Sequence, residues 1–362
     1  MHRDDVDPPL PGSSPDWVEE ESEQIPKHSG HGRRRSAGLR HEVDRLQRLA
    51  GPVEREAPRR RALVIAVSRG ACTVDLDGAA VVCALHPRLA GLQRSEIATG
   101  DEVEIELRPG ANPLAVAVVP RRSVLSRPDP HAREVERVVV ANIDVVVVVA
   151  SLRRPPLRAG LVDRYLVAVA RGGATPLLAV NKVDLADADR AADPELAVLA
   201  DYAALELPVV LCSAETGEGI AELRSRLAGK TCAFVGHSGV GKSSLLNAID
   251  PSLALAIGEV SAGRPIGRHT TRQATLHRLA GGTRVIDTPG IRELGLWRVA
   301  PRELATFFPE LAAVATGCRY ADCTHSHEPS CAVRDAVAAG EIPAGRFAVY
   351  SRILASLAAD EG

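Results

Sequence analysis

Apolar residues along the chain follow three different patterns, and each pattern predicts a different kind of structure. From about residue 58 to residue 121, short β-branched runs such as ALVIAVS and DEVEIEL are separated by Gly, Asp, Asn and Pro. Alternating runs of this length, bounded by turn residues, are typical of strands. Five of them within about sixty residues predict a small β-barrel, for which the OB-fold is the leading candidate.

From residue 122 to residue 300 the apolar runs are longer and alternate with helical segments. The stretch VVVANIDVVVVVAS is interpreted as a pair of buried strands, and GLVDRYLVAVARGG as a helix that ends at glycine. Helices between nearly continuous apolar strands are typical of a parallel sheet covered on both faces. This region therefore predicts a central α/β domain.

The two ends of the chain differ from this core. Residues 301–362 have a helical pattern interrupted by a group of cysteines and histidines, which predicts an α-helical C-terminal domain. Residues 1–57 are rich in Pro, Ser and Glu and then turn basic, and we expect a mostly disordered tail. Between Lys27 and Arg61 there are eleven Lys or Arg against four Asp or Glu, which leaves an RNA-contacting arm as the alternative.

Composition narrows the class of protein. A net charge of −2 excludes a uniformly basic nucleic-acid binder but allows local basic patches. The most apolar run, VVVVVA, is too short to span a bilayer, and the first residues do not form a secretory signal. We therefore expect a monomeric cytoplasmic protein with no membrane contact. Four cysteines occur singly in apolar runs and are interpreted as buried, inert thiols: Cys72, Cys83, Cys212 and Cys232.

A glycine-rich loop between a predicted strand and a predicted helix gives the strongest chemical signal. GHSGVGKS, residues 236–243, fits the G-x-x-x-x-G-K-S pattern, in which backbone N–H groups converge on phosphate oxygens. Lys242 should contact the β- and γ-phosphates, and the Ser243 hydroxyl should bind Mg²⁺. The predicted phosphate-binding residues are Gly236, His237, Ser238, Gly239, Val240, Gly241, Lys242, Ser243 and Ser244.

Two further segments complete the predicted phosphate site. Asp287 follows the strand TRVI and begins DTPG, where it should hold Mg²⁺ through water while Gly290 faces the γ-phosphate. Between the two phosphate motifs lies the polar loop GRPIGRHTTRQAT. Thr270 or Thr271 in that loop should complete the magnesium coordination when GTP is bound.

NKVD, residues 181–184, predicts which base is bound. Its aspartate can accept hydrogen bonds from the ring N–H and the amine of guanine, whereas adenine has no such donor pair and would leave a buried Asp184 unpaired. Because this motif precedes the phosphate loop, the sequence predicts a circularly permuted P-loop GTPase domain, which the surface location of domain termini permits. The predicted base-contacting residues are Asn181, Lys182 and Asp184, with Ser213 and Ala214 of CSAETGEG as the second loop.

The cysteine–histidine group predicts a metal site. Three thiolates and one imidazole are enough for a closed tetrahedral zinc site, which has no open position for a substrate and is therefore structural. A unit of about sixty residues also needs such a cross-link for stability. His327 is an alternative ligand that we expect to face solvent. The predicted ligands of one zinc ion per chain are Cys318, Cys323, His325 and Cys331.

The group that positions the attacking water is less obvious. In many small GTPases a glutamine directly after the D-x-x-G motif orients this water, but here that position is Ile291. His269, beside the magnesium threonines, is the candidate catalytic residue, because a neutral imidazole can accept a proton near pH 7. His237 is the second candidate. The alternative for His269 is that it only packs the loop.

Together these motifs resemble the RsgA (YjeQ) family of bacterial small-subunit-dependent GTPases. The resemblance runs from about Arg59 to the end of the chain and includes PRRSVLSRP, SGVGKSSLLN, DTPGIRELGLW and HSHEPSCAV. It implies a GTPase that acts late in maturation of the small ribosomal subunit and is stimulated by that subunit. It also implies that the barrel and the zinc domain touch ribosomal RNA.

Two departures and two alternatives accompany the resemblance. The barrel has ALHPRLAGLQR where the family often has a more basic stretch, and the polar loop has HTTR where HTTT is common. The protein could instead be a GTP-dependent RNA-binding switch with negligible turnover, which single-turnover hydrolysis with and without subunits would reveal. It could also be a GTPase acting on another ribonucleoprotein, which co-sedimentation with separated subunits would decide.

Overall fold

The structure is a computed structural model, and it describes residues 58–68, 70–91, 97–129, 132–199, 202, 207–255, 274–287 and 299–360. The tail predicted for residues 1–57 lies outside the described residues. Within the described part of the chain, no helix has both the length and the apolar character needed to cross a bilayer.

The N-terminal part is a closed five-stranded barrel, as the alternating pattern predicted. Its strands pair in the order β1-β2-β3-β5-β4, and β4 returns to pair with β1. In β1, Ala62 and Val64 point into the barrel core while the preceding arginines face solvent. The elements are β1 (Arg59–Ser68), β2 (Ala71–Leu76), β3 (Ala79–Leu85), the short helix α1 (Pro87–Gly91), β4 (Glu102–Glu106) and β5 (Leu114–Val118).

Two barrel cysteines are closer to each other than their separation in sequence indicates. Cys72 on β2 and Cys83 on β3 are direct partners in the antiparallel register, and both are fully buried. The prediction of buried free thiols is confirmed for these two and for Cys212 and Cys232. Cys72 and Cys83 occur singly in the sequence, and strand pairing brings them together in the structure.

A two-stranded sheet follows the barrel, and it shows that one predicted strand pairing was wrong. It consists of β6 (Val124–Asp129) and β7 (Ala132–Ala141), which form an antiparallel hairpin. The two halves of VVVANIDVVVVVAS were predicted as a pair, but the first half belongs to β7 and the second forms β8 (Val145–Ser151) in a different sheet. Asn142, with φ of 55°, turns the chain between the two halves.

The central α/β part has one twisted sheet with apolar cores on both faces. Its strands lie in the order β10-β9-β8-β11-β13-β12, and all neighbours are parallel except β12 and β13. Alternate residues of β8 enter opposite cores, Val146 one and Val147 the other. The remaining elements are α2 (Ala159–Arg171), β9 (Thr175–Asn181), α3 (Pro194–Ala197), β10 (Val209–Leu211), α4 (Ile220–Leu227), β11 (Thr231–Val235), α5 (Lys242–Ile249), β12 (Thr275–Arg278) and β13 (Arg284–Asp287).

The C-terminal part is helical, as predicted, and packs on α2. Val167 of α2 belongs to its apolar core. The Arg352 guanidinium donates from Nε and Nη2 to Oδ2 of the fully buried Asp163 at 3.2 and 3.0 Å, and the Tyr202 hydroxyl donates to Oδ1 at 2.8 Å. The elements are a 3₁₀ helix (Pro301–Phe307), α6 (Pro309–Ala315), α7 (Ala332–Ala338) and α8 (Ala344–Asp360).

The barrel meets the α/β part at a tight junction around Gly100. This residue has φ of +94°, and a Cβ atom there would lie 2.1 Å from the Ala141 carbonyl oxygen and 3.2 Å from Cδ1 of Ile286. The Gly100 carbonyl accepts a hydrogen bond from Nδ2 of Asn142 at 3.0 Å. Glycine is therefore required both for the left-handed backbone and for the close approach.

Replacing Gly100 by alanine should destabilise the protein by at least about 2 kcal/mol more than replacing Gly78, because the backbone at the junction must move to make room. Gly78 is a matched control, since its φ is +88° but nothing lies within 4 Å of an added Cβ. Its alanine variant should show only the ordinary cost of left-handed backbone, about 1–2 kcal/mol. Equilibrium denaturation measures both. Equal losses for the two variants would contradict the tight junction.

Candidate nucleotide site and metal cluster

The phosphate loop connects β11 to α5 and depends on two close glycine contacts. A Cβ at Gly236 would lie 2.3 Å from the Val149 carbonyl oxygen, and a Cβ at Gly241 would lie 2.2 Å from Nδ2 of Asn181. Both glycines have positive φ. The loop therefore packs directly against β8 and against the start of the NKVD motif.

Lys242, the predicted phosphate-binding lysine, lies at the first position of α5. In the structure, Nζ of Lys242 donates to the carbonyl oxygens of Gly236 and His237, both at 2.8 Å, so it closes the loop on itself. Ser243 and Ser244 follow in the first helical turn. Backbone N–H groups at a helix N-terminus, with a lysine beside them, form a favourable environment for phosphate oxygens.

Asn181, at the end of β9, joins the two halves of the predicted nucleotide site. It is 2% exposed; its Nδ2 donates to the Val240 carbonyl at 2.8 Å, and its Oδ1 accepts from the Ala214 N–H at 3.1 Å. The Asn181 side chain therefore connects the predicted phosphate loop, 59 residues away in sequence, to the loop predicted to contact the base.

Lys182 strengthens the same connection. It has a left-handed backbone with φ of 64°, and Nζ donates to the Gly239 carbonyl at 2.6 Å and to the Arg154 carbonyl. Burial lowers the pKa of Lys182, while the nearby Asp184 carboxylate raises it. The Lys182 side chain therefore connects the predicted phosphate loop to the segment that follows β8.

Asp184 is exposed, whereas the sequence analysis assumed a buried carboxylate. The difference arises because Val183 takes the buried position of the 3₁₀ turn Val183–Leu185, which leaves Asp184 facing outward. Its Oδ1 accepts from the Ser213 hydroxyl at 2.6 Å. Ser213 is fully buried, and its Oγ accepts from the N–H groups of residues 215 and 216. Ser213 therefore holds the carboxylate at the mouth of the site.

Asp287 is the last residue of β13, where it pairs with Thr275. Five positions that the sequence analysis singled out lie outside the described residues: His269, Thr270, Thr271, Gly290 and Ile291. His237 is exposed, and its Nδ1 lies 2.9 Å from the carbonyl oxygen of its neighbour Ser238. The side chain therefore contacts its own loop.

Sequence reasoning missed an ion-pair cluster that fixes the segment after NKVD. Nη2 of Arg153, just beyond β8, lies 2.9 Å from Oδ2 of the fully buried Asp193, and Arg153 also pairs with Asp187 and Glu195. Hydrogen bonds from the backbone N–H groups of residues 187, 195 and 196, together with Arg153, hold the pKa of Asp193 below its usual value against the effect of burial. The only local signal for a structural role of Asp193 in the sequence is the Asp-Pro-Glu start of a helix at residues 193–195.

The three cysteines and one histidine of the C-terminal part converge. Their ligand atoms lie within 4.8 Å of one another, and all but Cys318 are buried. The two Sγ atoms of Cys318 and Cys331 are 3.9 Å apart, and Nδ1 of His325 is 3.5 and 3.4 Å from them. A tetrahedral ion with Zn–S bonds of about 2.3 Å would separate its sulfur ligands by about 3.8 Å. The spacing therefore fits a metal ion of zinc's size, and His327 is exposed, as expected.

Glu328 stabilises the loop that carries the cluster, a role that no motif in the sequence indicated. Its carboxylate accepts from the N–H groups of residues 324, 326 and 327 at 2.8, 3.0 and 3.2 Å, and from the Thr324 hydroxyl at 2.6 Å. Burial raises the pKa of Glu328, but these hydrogen bonds outweigh it and bring the pKa to about 2. Tyr350 of α8 donates to the Thr324 carbonyl at 2.7 Å, which ties the loop to the helices.

Comparisons with known proteins agree with these features. The family model described as RsgA GTPase matches residues 118–297. The small ribosomal subunit biogenesis GTPase RsgA 1 of Vibrio vulnificus is 40% identical over 270 residues, which cover 72% of this chain and 74% of that protein. The small ribosomal subunit biogenesis GTPase RsgA of Moorella thermoacetica is 41% identical over 289 residues, which cover 80% of this chain and 94% of that protein.

Two solved structures are similar over most of the chain. The crystal structure of YjeQ from Thermotoga maritima has a TM-score of 0.66 at 32% identity and covers 83% of this chain and 99% of its own. The structure of YloQ, a circularly permuted GTPase, has a TM-score of 0.63 at 25% identity, with coverages of 86% and 99%. Because its relatives are about 40% identical over more than two thirds of both chains, the protein belongs to the RsgA GTPase family.

Proposed function

We propose that this protein hydrolyses GTP to GDP and phosphate during late maturation of the small ribosomal subunit, in the cytoplasm, and that the subunit stimulates the reaction. The observation that carries this proposal is the Asn181 side chain, which links the guanine-binding loops to the phosphate loop in a permuted chain. The names of the relatives support the small subunit and its rRNA as the partner. The protein acts as a monomer.

The chain binds GTP through residues from both halves of the permuted domain. The Asp184 carboxylate accepts from the guanine ring N–H and amine, which selects guanine over adenine. Ser213 and Ala214 line the same base. The loop from Gly236 to Ser244 surrounds the phosphates with backbone N–H groups and the Lys242 ammonium.

Mg²⁺ bound with GTP would supply positive charge that stabilises the charge developing on the β- and γ-phosphates. Oxygen ligands suit this ion. Ser243 at the start of α5 would offer a hydroxyl, Asp287 a carboxylate through water, and Thr270 or Thr271 a second hydroxyl. The N–H of Gly290 would face the γ-phosphate.

His269 positions the attacking water in this proposal. Ile291 cannot hydrogen-bond to water, so intrinsic hydrolysis should be slow and a different side chain must orient the nucleophile. His269 lies beside the threonines in sequence, and the ribosomal subunit would act by ordering this loop. His237, the second candidate, contacts the carbonyl of its own loop, which makes it the weaker choice.

Turnover measured against the concentration of purified small subunits tests the function. We expect slow hydrolysis alone and a large increase with small subunits, but not with large subunits. His269→Ala should retain GTP and subunit binding and lose about two to four orders of magnitude of the stimulated rate, the usual contribution of a general base. His277→Ala, a partly buried histidine on β12, is the matched control and should keep the wild-type rate.

The outcomes separate the alternatives. No turnover under any condition would favour a nucleotide-dependent binding switch, and stimulation by large subunits alone would favour another ribonucleoprotein. Wild-type stimulated turnover in His269→Ala would leave the function intact and remove His269 from the catalytic role.

We also propose that the C-terminal cluster binds one structural zinc ion through Cys318, Cys323, His325 and Cys331. The spacing of the ligand atoms supports a four-coordinate ion with no open position for a substrate. Two of the ligands, Cys323 and Cys331, belong to the apolar core of the C-terminal helices, which supports a stabilising role.

Cys323→Ser should remove the zinc and unfold the C-terminal helices, because structural zinc contributes roughly 10–16 kcal/mol of apparent folding free energy in small zinc-finger units. Nucleotide binding by the central domain should be largely retained. Metal analysis and circular dichroism provide the measurements. Cys83→Ala, a buried thiol of the barrel, is the control and should keep one zinc per chain. Wild-type protein purified without chelators that contains no zinc would refute the assignment.

A further inference from the structure

We propose that Thr99, a residue of the barrel, is a positioning residue for GTP hydrolysis. Its Oγ1–H donates to the carbonyl oxygen of Ala274 at 2.9 Å, across 175 residues of sequence. Ala274 lies three positions after Thr271 and directly precedes β12. Thr99 thereby fixes the point at which the chain re-enters the sheet after the residues proposed to bind magnesium and to orient water. This inference rests on the proposed function.

The position of Thr99 is fixed by hydrogen bonds on both sides of the junction between the barrel and the α/β part. It is 2% exposed, and its carbonyl accepts from the Ala141 N–H at 3.0 Å. It also forms an isolated parallel bridge with Val140. The next residue, Gly100, donates its N–H to the Val64 carbonyl of β1 at 2.8 Å. The hydroxyl therefore has a defined position relative to both the barrel and the α/β part.

The segment around Thr99 is stiffened further by a buried carboxylate. Asp101 is fully buried and accepts from the Ala98 N–H at 2.7 Å and from Nε of Arg121 at 2.7 Å. Arg121 lies between β5 and β6, where the chain leaves the barrel. Residues 98–101 thus form a short, hydrogen-bonded segment between the barrel and the α/β part.

Two other contacts hold the beginning and the end of β12 against the barrel. Ala66 of β1 pairs with Thr275, the residue after Ala274. At the other end of β12, Arg278 forms an ion pair with Asp75 of β2. Of these three contacts, the Thr99 hydrogen bond lies nearest in sequence to the threonines proposed to bind magnesium.

Loss of the Thr99 hydrogen bond should affect GTP hydrolysis more than GTP binding. GTP affinity depends on residues remote from this contact, mainly Asn181, Asp184 and Lys242. Alignment for hydrolysis depends on the groups just before Ala274, and small misplacements of such groups have large effects on rate. Loss of the Thr99 hydroxyl should therefore lower kcat and leave KM for GTP unchanged. A residue that only satisfies a buried carbonyl would instead change stability without this split.

The test uses three single variants of the full chain. Thr99→Val removes the hydroxyl and keeps the β-branched shape, and Thr99→Ser restores a hydroxyl. Thr283→Val is the control, because Thr283 is also a buried threonine, 6% exposed. Its Oγ1 donates to the Leu227 carbonyl at 3.2 Å and accepts from the Gly229 N–H at 3.1 Å. For each variant we would measure thermal unfolding, GDP affinity, and GTP turnover with and without small subunits.

We expect Thr99→Val to lower turnover by about fivefold to tenfold, the rate equivalent of one neutral hydrogen bond, with unchanged GDP affinity and KM. Thr99→Ser should recover most of the rate. Thr283→Val, which removes two hydrogen bonds, should lose at least as much stability and keep the wild-type rate.

Wild-type turnover in Thr99→Val, or an equal loss in Thr283→Val, would overturn the inference. A wild-type protein that small subunits do not stimulate would refute the proposed partner instead. In that case the rates measured without subunits still decide whether Thr99 matters for hydrolysis.

Discussion

One side-chain amide, that of Asn181, holds the predicted nucleotide site together. It donates to the phosphate loop at Val240 and accepts from the second base-contacting loop at Ala214. Gly241 approaches Nδ2 so closely that no side chain fits there. These contacts join segments that a permuted chain places far apart, in an order opposite to that of an ordinary GTPase. Because the contacts depend on spatial position and not on chain order, permutation leaves the site intact.

The other two parts of the protein attach to opposite sides of this centre. The barrel continues the central sheet beyond β12 and covers what would otherwise be a free strand edge. The C-terminal helices pack on α2 and are fixed there by the buried Asp163–Arg352 ion pair. Both attachments involve elements close in sequence to loops of the predicted nucleotide site. β12 follows the threonines proposed to bind magnesium, and α2 follows the segment that Lys182 contacts.

The sequence predicted what depends on local pattern and could not predict what depends on pairing. Barrel strands, alternating helices and the phosphate loop have strong local signals, and the structure contains all of them. The β6–β7 hairpin was missed because its first strand, VLSRPD, contains a proline and resembles a linker. The register that places Cys72 opposite Cys83, and the contacts of Thr99, arise only from tertiary structure. Asp184 was assumed to be buried because its role as a hydrogen-bond acceptor suggested it, whereas the local turn buries Val183.

Calorimetric titration of GDP into Asn181→Ala tests most directly whether this amide holds the site together. The variant removes the partners of the buried Val240 carbonyl and the partly buried Ala214 N–H. We therefore predict that GDP affinity falls by at least about a hundredfold while the fold is retained. Asn247→Ala is the matched control, because Asn247 makes the same pair of amide hydrogen bonds, to the N–H and carbonyl of Leu255, away from the base. Its GDP affinity should match wild type. Wild-type affinity in a folded Asn181→Ala protein would contradict the account.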